Sequence, residues 1–119
     1  MLRRFPPAHF ADEWARYLRG QGHRVRTSAA GPEVVCSRNG RGRRYRWLLV
    51  ASRTPVRRLT AAEHEAVLRQ IDQGRARGEQ VFVVVKFDPP INKVVALSAS
   101  RAAKASHLRA SKGGIPWND

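Results

Sequence analysis

Apolar positions recur along this chain with a helical period in some stretches and an extended one in others, and the switches divide it into elements. After Pro6 and Pro7, the residues Phe10, Trp14, Tyr17 and Leu18 fall at i, i+4, i+7 and i+8, one face of an α-helix. Prolines suit a first helical turn, where a missing N–H costs nothing. Asp12 and Glu13 lie toward the positive end of that helix's dipole and Arg16 and Arg19 toward its negative end. Gly20 and Gly22 stop it.

His23 to Ser28 then reads as a short strand, Ala29 to Pro32 as a turn, and Glu33 to Ser37 as a second strand. Asn39-Gly40, extended by Arg41-Gly42, is a hairpin signal. Arg43 to Ser52 makes a third strand, whose RWLLVA run is apolar enough to lie inside a sheet. Pro55 breaks it. Thr60 and Glu63 form a capping box, each side chain satisfying an orphan N–H at a helix start. His64, Val67, Leu68 and Ile71 give that helix one face, and it ends by Gly74 or Gly78. Val81 to Phe87, VFVVVKF, predicts a buried central strand. Asp88-Pro89-Pro90 turns the chain, and Lys93 to Ser98 is the last strand.

The order α-β-β-β-α-β-β predicts a single α/β domain over residues 1–99, with a mixed central sheet, flanking helices and one right-handed βαβ crossover. Residues 100–119 read as a basic, mobile C-terminal tail. If the tail is helical, Arg101, Lys104, Arg109 and Lys112 share a face.

Composition narrows the picture. A chain of 119 residues with 42% hydrophobic content can bury a core without staples. Its one cysteine, Cys36, excludes an internal disulfide. No stretch has membrane-spanning length and no apolar leader region is visible, so the expected location is cytoplasmic, with no membrane partner.

The net charge of +14 is uneven: residues 1–59 hold 14 basic and 3 acidic side chains, residues 60–119 hold 9 and 6. Between Arg38 and Arg58 there are eight arginines and no acidic residue. A guanidinium is a planar fork of donors that matches a phosphate and keeps its charge. Crowded forks repel one another unless a polyanion sits among them, which points to nucleic acid. Arginine also outnumbers lysine 19 to 4, so a basic surface kept for solubility is the competing explanation. The expected phosphate contacts are Arg38, Arg41, Arg43, Arg44 and Arg46 on the hairpin, with Arg53, Arg57 and Arg58 beyond it.

Several runs together resemble the PD-(D/E)XK, or restriction-endonuclease-like, superfamily, and within it the small archaeal-type Holliday junction resolvases. The first helix carries an acid, Glu13, and leads through Leu18 and Gly22 to HRVRTSA, similar to the family's strand. Gly31-Pro32-Glu33-Val34-Val35 is similar to its "G-P-D-hydrophobic" metal-binding strand, and Leu49 to Pro55 to its "hydrophobic-hydrophobic-E-x-K" strand. Arg58-Leu59-Thr60 and Gln80 to Phe87 resemble the helix and strand that follow. The match covers roughly residues 8–98.

The resemblance implies a site of carboxylates around magnesium or manganese, with a lysine assisting. The first carboxylate is present as Glu33, but Ala51 stands at the second position and Arg53 replaces the lysine. Arginine holds phosphate yet is poor at exchanging a proton near neutral pH. Glu13, Glu33 and Arg53 are therefore vestigial candidates, and only Glu33 and Glu13 could hold a metal were the site active.

Other chemistry is bland. His9, His23, His64 and His107 share no metal-ligand spacing with one another or with Cys36, which reads as a core residue. Trp14, Tyr17, Phe82 and Phe87 fall at core positions. Tyr45 and Trp47 share a strand face near the arginines, where core packing and base stacking both fit. There is no P-loop and no dinucleotide fingerprint.

The expectation is thus an endonuclease-like domain that binds nucleic acid, DNA above all, without cutting it and without a cofactor. The resemblance also implies a homodimer. Two alternatives stand beside it: a metal-dependent endonuclease or junction resolvase with a remodelled site, and a basic protein-interaction or ribosome-associated module.

Overall fold

The computed structural model describes residues 7–27, 34–38, 44–105, 107–110 and 114–116. Helix α1 (Pro7–Gly20) begins at the second proline of the pair. It closes with Gly22 at φ 90°. His23 N–H donates to the Leu18 carbonyl and Gly22 N–H to that of Arg19, both at 3.0 Å. Those two bonds and the left-handed glycine form a Schellman cap.

Strands β1 (Arg24–Thr27), β2 (Val34–Arg38) and β3 (Arg44–Ser52) form an antiparallel meander. After the short strand β4 (Val56–Arg57) comes helix α2 (Ala61–Ala76). It returns the chain to β5 (Glu79–Phe87), which runs parallel to β3 over all nine of its residues. Strand β6 (Lys93–Ser98) pairs antiparallel with β5. The predicted crossover is the β3–α2–β5 unit, and the sheet is mixed.

Both halves of the capping box are made: Glu63 N–H donates to Thr60 Oγ1 at 3.1 Å and Thr60 N–H to Glu63 Oε1 at 2.9 Å. On α2 the buried stripe runs through Val67 and Gly74, with His64 and Ile71 half-buried. Leu68, expected on that stripe, is 45% exposed. At 3.6 residues per turn it stands about 100° from Val67, off the line through positions 64, 67, 71 and 74. Gly74 is fixed by close approach: a Cβ there would overlap a Val81 methyl.

The described residues beyond Ser98, in the stretch read as a tail, form further elements. Helix α3 (Ala99–Lys104) follows β6 directly. Strand β7 (Leu108–Arg109) pairs with β4, and β8 (Ile115–Pro116) pairs with β6 to extend the large sheet. Ala99, Ala102, Leu108 and Ala110 are all buried in the core. Small side chains let this segment lie close on the sheet. Gly114, at φ 118°, runs so near β6 that a Cβ would sit 2.9 Å from the Val94 carbonyl oxygen. Because α3 stops at Lys104, Arg109 shares no helix face with Arg101 and Lys104.

The large sheet has the order β1-β2-β3-β5-β6-β8. On one face α1 packs Phe10, Ala11, Trp14 and Leu18 against Leu49, Val84 and Val94. On the other, α2 and α3 cover Leu48, Val83, Val85, Phe87 and Val95. No helix of the described residues is long and apolar enough to cross a membrane. This is an α/β domain with a mixed sheet between helical layers.

Candidate nucleic-acid interface

Strands β3 and β5 end side by side, and ligands of α/β sheets bind beyond such carboxyl ends. The register pairs Ala51 with Lys86 and Ser52 with Phe87. Asp88 N–H then donates to the Ser52 carbonyl at 2.8 Å, tying the two strand ends. On the α1 side, the Lys86 side chain is 1% exposed, and its ammonium lies 3.4 Å from Glu13 Oε1 and 5.8 Å from the Phe10 ring centroid. Arg53, just past the end of β3, is exposed. Glu33 lies outside the described residues. Among the described residues, no three of His, Cys, Asp and Glu gather where they could hold a metal ion.

The arginines expected to contact phosphate divide sharply. Arg41 and Arg43 lie outside the described residues, and Arg38 is placed by its backbone alone. Arg44, Arg53 and Arg58 are exposed. Arg46 is buried at 7% exposure, a correction to its place among the surface contacts. Strand alternation turns it toward α2, where its Nε donates to Glu79 Oε1 at 2.9 Å and its Nη1 to Gln70 Oε1 at 2.8 Å. It joins β3, β5 and α2.

Arg57 is likewise occupied internally. Its Nε donates to the Ala51 carbonyl at 3.0 Å, and its two terminal nitrogens grip the Glu63 carboxylate at 2.9 and 2.5 Å. Burial works to raise the Glu63 pKa, but the Arg57 hydrogen bonds, the Thr60 N–H and the Arg57 charge together hold it below its ordinary value.

Strand register adds a residue that the reading of the sequence passed over. Arg24 on β1 is paired with Arg38 on β2, and Arg38 with Arg44 on β3. Three arginines thus occupy one transverse row on adjacent strands, about 5 Å apart at each step. Like charges directly opposite one another destabilise a sheet. Arg24 and Arg44 are exposed, and among the described residues neither forms an ion pair. The C-terminal segment contributes a second basic surface: β7 sets exposed Arg109 opposite Val56 on β4, with Arg58 following β4 and Lys104 ending α3.

Tyr45 and Trp47 belong to an aromatic cluster. Trp47 stacks on Phe82 with centroids 4.7 Å apart and meets the Trp14 edge at 5.5 Å. Tyr45 leans on Phe82 at 6.0 Å and on the edge of His23 at 5.8 Å. Ring faces used on one another leave less for bases, which favours the core-packing alternative for this pair.

Lys86 was also missed as a site residue. Its signal in the sequence is a single charge inside VFVVVKF, an otherwise apolar run. Arg24 carries no local signal, since only the pairing of β1 with β2 brings it into the row.

No protein-family model and no curated protein matches the chain. Among solved structures, it is similar to Hjc, a Holliday junction resolvase from the archaeal hyperthermophile Archaeoglobus fulgidus. The TM-score is 0.65 at 19% sequence identity, covering 86% of this chain and 85% of that one. The restriction-endonuclease-like fold expected from the sequence is the fold observed.

Proposed function

We propose that this protein binds nucleic acid through phosphate contacts and does not cut it. The observation that carries the reading is the Arg24–Arg38–Arg44 row. A sheet that aligns three cations across adjacent strands is relieved of their repulsion when phosphates lie among them. Arg53 and Arg58, past the opposite end of β3, and Arg109, across the β4–β7 pair, supply the second basic surface. Arg41 and Arg43 remain in the proposed set on sequence grounds, whereas Arg46 and Arg57 leave it because their guanidiniums serve the fold.

DNA is the proposed form, and branched DNA the first shape to test, because a solved structure of the same fold is a Holliday junction resolvase. A homodimer, which the family resemblance of the sequence implies, is proposed with it. Contacts to phosphate carry little sequence information, so selectivity should be for shape. No cofactor and a cytoplasmic location complete the proposal.

The test is one titration of labelled duplex, four-way junction and single-stranded DNA and an RNA hairpin, first in EDTA and then with magnesium or manganese. Engagement of six or more phosphates lowers affinity by several orders of magnitude between about 50 and 200 mM salt. Salt-sensitive shifts without products support the proposal. Shifts flat in salt, or none with any probe, sink it. Metal-dependent products that vanish in Glu33→Ala would establish the nuclease reading instead.

A further inference from the structure

We infer that Lys86 is the resident cation of the strand-end site, so that the place where this fold would hold a divalent metal is already filled by a side chain. The inference rests on the fold of that site and not on nucleic-acid binding. Three observations carry it.

The first is burial. An ammonium taken out of water is tolerated only against compensating charge or polar groups. Lys86 is 1% exposed, with the Glu13 carboxylate 3.4 Å away. The Phe10 ring, 5.8 Å from the nitrogen, adds a negative quadrupole face. The lysine therefore belongs to the built interior of the site rather than to a solvated surface that happens to pass nearby.

The second is register. Lys86 is paired across β3 and β5 with Ala51. A methyl at that position brings no charge and no ligand oxygen, so the ammonium is the charged member of the pair. The third is the demand a metal would make. Magnesium requires oxygen ligands in near-octahedral geometry at about 2.0–2.1 Å. Glu13 could supply such an oxygen only by bringing a dication within a few ångströms of the ammonium it already faces, where like charges repel strongly. Among the described residues no trio of ligands compensates for that. The described residues do not fit a divalent-cation site.

The consequence is a site whose positive charge is covalently attached and non-exchangeable. Lys86 neutralises Glu13 from within, and nucleic-acid binding at the strand ends should need no magnesium.

The experiment titrates manganese chloride alone into the full chain, following free Mn2+ by electron paramagnetic resonance. The proteins are the wild type, Glu13→Gln, Lys86→Met, and Lys86→Met combined with Glu13→Gln. Wild type should show no saturable site that depends on Glu13. Lys86→Met should gain Mn2+ affinity by about tenfold or more, because the repelling charge is gone, and the added Glu13→Gln should remove that gain. A wild-type Mn2+ site lost in Glu13→Gln overturns the inference. So does a folded Lys86→Met that gains nothing. Where circular dichroism finds Lys86→Met unfolded, Lys86→Gln takes its place under the same criteria. No nucleic acid is present in the titration, so its outcome is separable from success or failure of the binding proposal.

Discussion

Arg57 closes on Glu63 with both terminal guanidinium nitrogens, while the same carboxylate receives the N–H of Thr60 at the start of α2. One acid thus fastens the helix start and the strand before it. We expect Glu63→Gln to cost about 1–2 kcal/mol, the range of a helix cap and a charge-assisted hydrogen bond. A Glu63 pKa held below its ordinary 4.5 stabilises the fold fully above that value. The contribution is lost as pH falls through the folded-state value. Urea midpoints of wild type and Glu63→Gln should therefore differ most near neutrality and converge as the pH drops below 4.5. A gap that widens on acidification would refute this assignment.

Arg46 and Glu79 give the larger effect on stability, since both side chains are only 9% exposed. Arg46→Ala leaves a buried carboxylate without its cation, a loss of about 3–5 kcal/mol. Arg46→Met in combination with Glu79→Gln should recover part of it, because an apolar stem and a neutral amide remove the charge imbalance. Chemical denaturation of the single and double variants measures the coupling. Equal midpoints for Arg46→Ala and wild type would mean that the pair contributes nothing.

The contrast between Arg44 and Arg46 marks what a sequence shows and what it withholds. The density of positive charge from Arg38 to Arg58 is plain in the letters, as are the capping box at Thr60 and the valine run that becomes β5. Which arginine faces water is not, because it depends on the parity of β3. Tyr45, Trp47 and Leu49 turn to α1, so Arg46 turns to α2 with Leu48. Cross-strand register is further out of reach. Nothing local tells that Arg24 will stand beside Arg38, or that Ala51 will stand beside Lys86. The stretch from residue 100 reads as a basic terminal tail, whereas the small size of its alanines is what lets the described part lie close to the sheet.

That segment yields a third expectation. Leu108 is 2% exposed and packs in the same cluster as Val83 and Phe87. Leu108→Ala should destabilise the whole domain by about 2–5 kcal/mol, the range for a buried leucine truncated in a core. A chain ending at Ser98 should lose cooperative thermal unfolding. Unchanged melting of that shorter chain would show that the segment is dispensable and that the main core lies elsewhere.

The arginine row makes the most discriminating claim, because it separates surface cations from internal ones of the same residue type. Each phosphate contact contributes about 0.9 to the slope of log affinity against log salt on duplex DNA, so Arg44→Ala should reduce that slope by about 1. Arg24→Ala should do the same, and the pair should reduce it by about 2. Arg57→Ala removes an identical formal charge, yet its guanidinium is spent on Glu63 and the Ala51 carbonyl. It should lower the melting temperature and leave the slope near the wild-type value. Affinities measured at several salt concentrations, with stability followed in parallel, distinguish the two classes. If Arg57→Ala flattened the slope as much as Arg44→Ala, net charge rather than the placement set by strand register would govern binding, and the row would have no special role.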